Sequence, residues 1–368
     1  MSRPLSKGEI MSLFPMEAVP LLLDWYHHNR RDLPWRHTRD PYHILLSEIM
    51  LQQTRAETVK SYYARFLAEL PTVQALAEAP EDLILKLWEG LGYYSRVRNL
   101  QKAARAVMEK HNGVIPADFD KLLSLPGVGR YTAGAVGSIA FNLPVPAVDG
   151  NVLRVTARLM GDGGDVLTDA TRRRIEDAIA PCVPTPHAGD FNQSLIELGA
   201  TVCLPGGAAK CRECPLQLLC AAMREGRVEE LPVRIIKTKR KFEDLTVLLL
   251  RVTEEDGTCR YVIRRRPDTG LLGGLYEFPH LNGHAAAEEV RVALATEGAV
   301  VHKITPLPEG KHIFTHITWR MIGYLCDVTV PPAPAEDDLC NGLLANAEDM
   351  ANRYSIPSAF ALYRKYAL

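Results

Sequence analysis

Residues 125–151 read LPGVGRYTAGAVGSIAFNLPVPAVDGN, and this stretch decides the fold of the N-terminal part of the chain. Leu125-Pro126-Gly127-Val128-Gly129 is a glycine hairpin between two short helical patterns, DFDKLLS before it and RYTAGAVGSIAF after it. Two glycines let the backbone come close to something bulky. The N–H groups that open the second helix can hold an anion such as a phosphate. Beyond that helix a lone carboxylate, Asp149, stands in VDGNV.

Helical spacing extends outward on both sides, over residues 16–226. Asp40-Pro41 makes an N-cap and first-turn pair ahead of HILLSEIMLQQT. Further helical patterns cover ETVKSYYARFLAEL, EDLILKLWEGL, RNLQKAARAVMEK, NVLRVTARLM, TRRRIEDAIA and DFNQSLIELGATV. At 368 residues two domains are expected, and 47% hydrophobic with 24% charged residues describes an ordinary globular protein. No apolar run is long enough to span a membrane, and the polar start MSRPLSKGEI does not read as a secretory signal. A cytoplasmic monomer, nucleoid-associated in a bacterium, is the expectation. The net charge of -1 carries no global nucleic-acid signal. Two local basic runs stand out: Arg96, Arg98, Lys102 and Arg105 after Tyr93-Tyr94, and Arg234, Lys237, Lys239, Arg240 and Lys241. Taken alone, each reads as a solvated face.

Cys182, Cys259, Cys326 and Cys340 are scattered and read as buried small hydrophobes. Cys203, Cys211, Cys214 and Cys220 instead crowd together as C-x7-C-x2-C-x5-C. Four thiols this close, in a chain without a secretion signal, argue for a metal site rather than disulfides. The spacing itself admits zinc or an iron–sulfur cluster.

The hairpin followed by Asp149 resembles the helix-hairpin-helix and Gly/Pro-Asp motif of the base-excision DNA glycosylases. SEIMLQQT, with Glu48 inside an apolar stripe, resembles the SE-x-MLQQT motif of the adenine DNA glycosylase (MutY type) family. An apolar setting raises a carboxyl pKa, the property a general acid needs. The resemblance implies that Glu48 protonates adenine N7 and that Asp149 stabilises the oxocarbenium ion on the deoxyribose, as in the two-carboxylate solution of glycosidases. Each has a plainer alternative: Glu48 could pair with Arg55 or Arg31, and Asp149 could simply cap a helix. Relatives that also cut the strand carry a lysine just before the hairpin threonine. Here that position is Tyr131, which forms no imine, so a monofunctional enzyme is implied. By the same resemblance Asn151 and Tyr131 orient water and sugar, and Arg31, Trp35, Leu51 and Gln193 line an adenine pocket. The resemblance further implies that Gln53, Thr54, Leu91 and Tyr93, with Gly127, Val128 and Gly129, touch a double-stranded DNA in which adenine faces 8-oxoguanine or guanine. The cysteine array resembles the family's [4Fe–4S] ligands, usually C-x6-C-x2-C-x5-C, with one extra residue in LPGGAAK.

A charged, Pro-containing stretch at 227–242 reads as a linker between a helical domain, 1–226, and an α+β domain, 243–368. In the latter, LTVLLLRVT, RYVIRRR and HITWRMIGYLCDVTV read as strands, and AAAEEVRVALATEG as a helix. GLLGGLYEFPHLNG followed by EEVRVALATEGA resembles a Nudix box. Val292, Ala295 and Thr296 stand where Mg²⁺-binding acids belong, so hydrolysis of nucleotides is not expected. Phe314-Thr315-His316 resembles the family's Phe-Ser-His motif for 8-oxoguanine. The rival readings are an endonuclease III-like glycosylase/lyase, opposed by Tyr131, and a nucleotide pyrophosphatase, opposed by the missing acids. A catalytically silent DNA binder is opposed by Glu48 and Asp149 together.

Overall fold

The computed structural model describes residues 14–235, 240–332, 334–335 and 337–368. The chain forms two compact units, Met1–Glu78 with Arg98–Ile236 and Ala79–Val97 with Lys237–Leu368. Among the described residues no helix is long and apolar enough to cross a membrane.

The first unit is helical. It contains α1 (Ala18–Asn29), α2 (Pro41–Leu51), α3 (Ala56–Glu69) and α4 (Val73–Glu78). α5 (Glu81–Trp88) and the first turn of α6 (Ser95–His111) belong to the second unit. The helical series resumes with α7 (Phe119–Leu123), α8 (Arg130–Phe141), α9 (Gly150–Met160), α10 (Asp169–Ile179), α11 (Ala188–Thr201) and α12 (Ala221–Arg224). Asp40 caps α2, accepting from the N–H groups of Tyr42 at 2.8 Å and His43 at 3.1 Å, with Pro41 in the first turn. Ile44 through Met50 are all buried, so α2 is apolar on every side and runs through the interior. Glu48, its only carboxylate, is carried inside with it.

The expected linker is shorter than 227–242. Leu231 is buried and its carbonyl accepts from Arg158 Nε at 2.8 Å. Val233 forms a β-bridge with Asp165. Residues 227–235 are therefore anchored on the helical unit by an apolar side chain and backbone pairing, and β1 already begins at Lys241.

The second unit holds a seven-stranded mixed sheet. Its strands are β1 (Lys241–Thr253), β2 (Cys259–Arg265), β3 (Tyr276–Glu277), β4 (His280–Asn282), β5 (Val300–Ile313), β6 (Ile317–Thr329) and β7 (Leu343–Ala345). The main order is β3-β2-β1-β6-β5, with β1 and β6 parallel. Alternation along β1 builds two cores. Leu245, Val247 and Leu249 face a cluster with Met350, Phe360 and Tyr363, from α14 (Ala347–Asn352) and the C-terminal turns. Leu248 and Leu250 face Val290 and Leu294 of α13 (Ala287–Thr296). β5 has no clean strand signal because it contains Pro306 and Pro308. It is an edge strand with a register shift between Leu307 and Gly310, where proline is tolerated. Cys182, Cys326 and Cys340 are buried as expected, but Cys259 is exposed at the start of β2.

Candidate active site

The helical unit contains a cleft of about 1410 Å³ whose walls include Glu48, Tyr131, Asp149 and Asn151. α8 brings the hairpin to it. Gly127 has φ +74°, and a Cβ there would lie 2.5 Å from Asn99 Cβ, so both conformation and space call for glycine. Gly134 lets the following loop lie against α8, since a Cβ would meet the Pro146 carbonyl oxygen at 2.1 Å. Asn192 of α11 pins that loop, accepting from Ala147 N at 2.9 Å and donating to Val145 O at 2.9 Å. The loop then delivers Asp149 to the start of α9.

Glu48 is 6% exposed, and its Oε2 accepts from the Tyr131 hydroxyl at 2.5 Å. Burial pushes its pKa from 4.5 to about 7, against the Tyr131 hydrogen bond, while the Asp149 charge raises it further and Arg36 lowers it. The alternative pairing with Arg31 is not made, because Arg31 is held by Glu197. Asp149 does cap α9, accepting from Asn151 N and Val152 N at 2.8 Å each, and it also accepts from Asn151 Nδ2 at 2.8 Å. Burial raises its pKa too, and those three N–H donors work against the rise. What separates the two carboxyls is therefore donor count: three N–H groups favour the ionised form of Asp149, and one hydroxyl faces Glu48. Asn151 is in turn held by Arg154, whose Nη2 donates to Asn151 Oδ1 at 2.9 Å and to Gly199 O at 2.8 Å.

Arg31, Trp35, Leu51, Gln193, Gln53, Thr54, Gly127 and Gly129 line the same cleft. Gln53 sits at φ +58°, a left-handed conformation that costs a non-glycine residue of order 1–3 kcal/mol. Val128 differs from expectation. Its side chain is buried, and its N–H donates to Leu125 O at 3.1 Å, so it shapes the hairpin. Leu91 and Tyr93 fall in the other unit. There Leu91 is buried, against a wedge role in this conformation, whereas Tyr93 is exposed and has φ +48°. Arg96 is no solvated face either. It is 9% exposed, it donates to Leu91 O and Gly92 O at 3.0 Å each, and burial lowers its pKa to about 10. Lys237 and Lys239 of the second basic run lie outside the described residues.

The Phe314-Thr315-His316 motif forms the turn between β5 and β6. Phe314 packs edge-on to Trp319 at 4.9 Å, and the hydroxyls of Thr315 and Tyr93 are hydrogen-bonded to each other. Cys203, Cys211, Cys214 and Cys220 line one small cavity of about 30 Å³. Arg158 Nη1 donates to Cys203 Sγ at 3.3 Å.

The sequence reading missed Glu197. Its carboxylate is fully buried and accepts from Arg31 Nε and Nη2 at 2.8 Å each and from Arg36 Nη2 at 2.7 Å. Burial pushes its pKa up, but the hydrogen bonds from Arg31 and Arg36 outweigh that and hold it at about 2. The available signal was a single acid on the apolar stripe of FNQSLIELG.

Residues 46–181 match the HhH-GPD superfamily of base excision DNA repair proteins, and residues 247–365 match the NUDIX domain. An adenine DNA glycosylase of Mus musculus is 35% identical over 390 residues, covering 89% of this chain and 75% of its own length. The chain belongs to the adenine DNA glycosylase family. An adenine DNA glycosylase of Arabidopsis thaliana is 37% identical over 91% of this chain, which spans 61% of the plant protein's length. Among solved structures, a thermostable thymine-DNA glycosylase is similar at TM-score 0.52 and 32% identity, covering 57% of this chain and 96% of that one. The architecture of this member is a helical helix-hairpin-helix part plus a Nudix-like part with a mixed sheet.

Proposed function

We propose that this protein is a monofunctional DNA glycosylase that removes adenine mispaired with 8-oxoguanine, or with guanine, after flipping it out of the duplex. The observation that carries the reading is a buried carboxyl with its pKa pushed up to about 7, in one cleft with a second carboxylate held by three N–H donors. A pKa near the working pH suits a general acid.

The flipped adenine enters between Trp35, Leu51 and Gln193. Because Tyr131 donates to Glu48 Oε2, the acid's own proton sits on Oε1, free to pass to purine N7. The C1′–N9 bond then breaks with its electrons moving onto the base. Asp149 stabilises the cationic sugar, and water adds at C1′ and releases a proton. No lysine is among the described residues lining the cleft, so no side-chain amine is placed to form the imine that a lyase requires.

The four cysteines fit a [4Fe–4S] cluster. All four thiols line one small cavity, and four cysteine thiolates are the donor set such a cluster takes. The cluster would be held by Cys203, Cys211, Cys214 and Cys220 and would order the loop joining α11 to α12. Recognition of 8-oxoguanine is assigned to Phe314, Thr315 and His316, supported by the hydrogen bond that links Thr315 to the exposed Tyr93.

The test is a labelled duplex with adenine opposite 8-oxoguanine, half of each reaction heated with alkali. Breaks only after alkali are expected. Breaks without alkali would make the enzyme a lyase, and no breaks in either half would remove the glycosylase reading.

A further inference from the structure

The wall of the cleft beyond Asp149 carries positive charge that neither carboxyl uses. α10 opens DATRRRIED, with three consecutive arginines. Arg174 is neutralised by Asp162, with contacts of 2.6 Å, and the neighbouring Arg130 by Glu176, also at 2.6 Å. Among the described residues Arg172 and Arg173 form no such ion pair. Arg172 Nε is pinned to Val166 O at 3.0 Å, and both side chains line the cleft.

A third arginine reaches the same wall from a distant part of the chain. Val166 N donates to Val233 O at 3.1 Å beside the Asp165–Val233 bridge, which fixes Arg234 there. Arg234 Nη2 lies 3.9 Å from where a Cβ on Gly150 would stand, so its guanidinium sits over the start of α9, next to Asp149. Among the described residues Arg173 and Arg234 have no ion-pair partner. The acids near this wall are Asp149, held by three N–H donors, Glu176, already bound to Arg130, and Asp169, in the first turn of α10. Three guanidinium groups brought to one wall by two chain segments outnumber the two carboxylates there without an arginine partner, Asp149 and Asp169, and form an anion-attracting surface.

We propose that Arg172, Arg173 and Arg234 form a second phosphate hold for the DNA strand that carries the target adenine, separate from the glycine hairpin. The proposal rests on the glycosylase reading above. A strand whose nucleotide is turned into the cleft needs its backbone held on both sides of the flipped position. The hairpin supplies backbone N–H groups on one side, and guanidinium groups suit the phosphates on the other. Such contacts carry no sequence information, so they act on any duplex.

The test is the salt dependence of binding to an undamaged duplex, for wild type, Arg173→Gln/Arg234→Gln and Arg173→Lys/Arg234→Lys. Each phosphate contact contributes ~0.9 to the slope of log affinity against log salt, so the Gln pair should lower the slope by between about 1 and 2. The Lys pair should keep it. A slope changed by less than about 0.5 in the Gln pair overturns the proposal, even if affinity falls, because the arginines would then be structural. A Lys pair as low as the Gln pair overturns it too. Adenine excision by the wild type, measured alongside, reports on the glycosylase reading by itself.

Discussion

Replacing Glu48 by glutamine should stabilise the protein while disabling it. The rise in folded-state pKa from 4.5 to about 7 means that burial penalises the ionised form. At ~1.4 kcal/mol per pH unit, the penalty is about 3 kcal/mol once the group is ionised in both states. The sign follows from proton counting. Below the unfolded value both states hold the proton and there is no penalty. Between that value and about 7 only the folded state keeps it, so stability falls as pH rises. Above about 7 the whole penalty is present. Glutamine keeps an oxygen for the Tyr131 hydroxyl and does not titrate. The stability gap between Glu48→Gln and wild type should therefore grow from near zero at about pH 4 to about 3 kcal/mol at about pH 9. Urea unfolding followed by circular dichroism across that range measures it. The same variant should excise adenine at least ~10²-fold more slowly. A gap that stays constant with pH would refute the raised pKa, and an undiminished rate would refute the role as acid.

Asp149→Asn should abolish excision while leaving duplex binding in a gel-shift assay largely intact; retained turnover would remove Asp149 from the chemistry. Tyr131→Lys should introduce a borohydride-trappable adduct with DNA, and absence of any adduct would show that the amine is misplaced. Glu197→Gln leaves the buried Arg36 and the half-buried Arg31 without their anion, so a loss of roughly 3–5 kcal/mol is expected in denaturant unfolding, and a neutral effect would contradict the pairing. In the wild type that pairing stabilises fully above the ordinary glutamate range and weakens as pH falls towards about 2. Purified protein should be brown with iron bound, and stoichiometric zinc without iron would overturn the cluster assignment.

Much of the site was legible because short-range chemistry fixes it. LPGVG needs glycine for its conformation, and Asp149 sits three residues before the helical N–H it caps. Glu48 is trapped by the apolar residues around it on its own helix. The β5 strand was harder to see, since its prolines oppose strand pairing and only its edge position accommodates them. The first basic run misled for a related reason: charge along the chain does not say whether a side chain will be buried. Arg96 is folded over Trp88 and capped by carbonyls, whereas Arg173 of α10 and Arg234 of the second run are left in an open cleft.

By itself, then, the chain's order of residues determined most of the helices and the long strands β1, β2 and β6, the hairpin, the cysteine spacing and the two carboxylates, because these rest on neighbours within a few positions. Tertiary structure alone decided which groups act on one another. Glu197 meets Arg31 from 166 residues away. Asn192 holds the loop before Asp149, and Lys86 and Glu89 meet Met350 and Arg364 near the C-terminus. Periodicity says which face of an element is apolar, but not which face it will meet; packing in three dimensions makes that choice, and with it the environment that shifts each pKa.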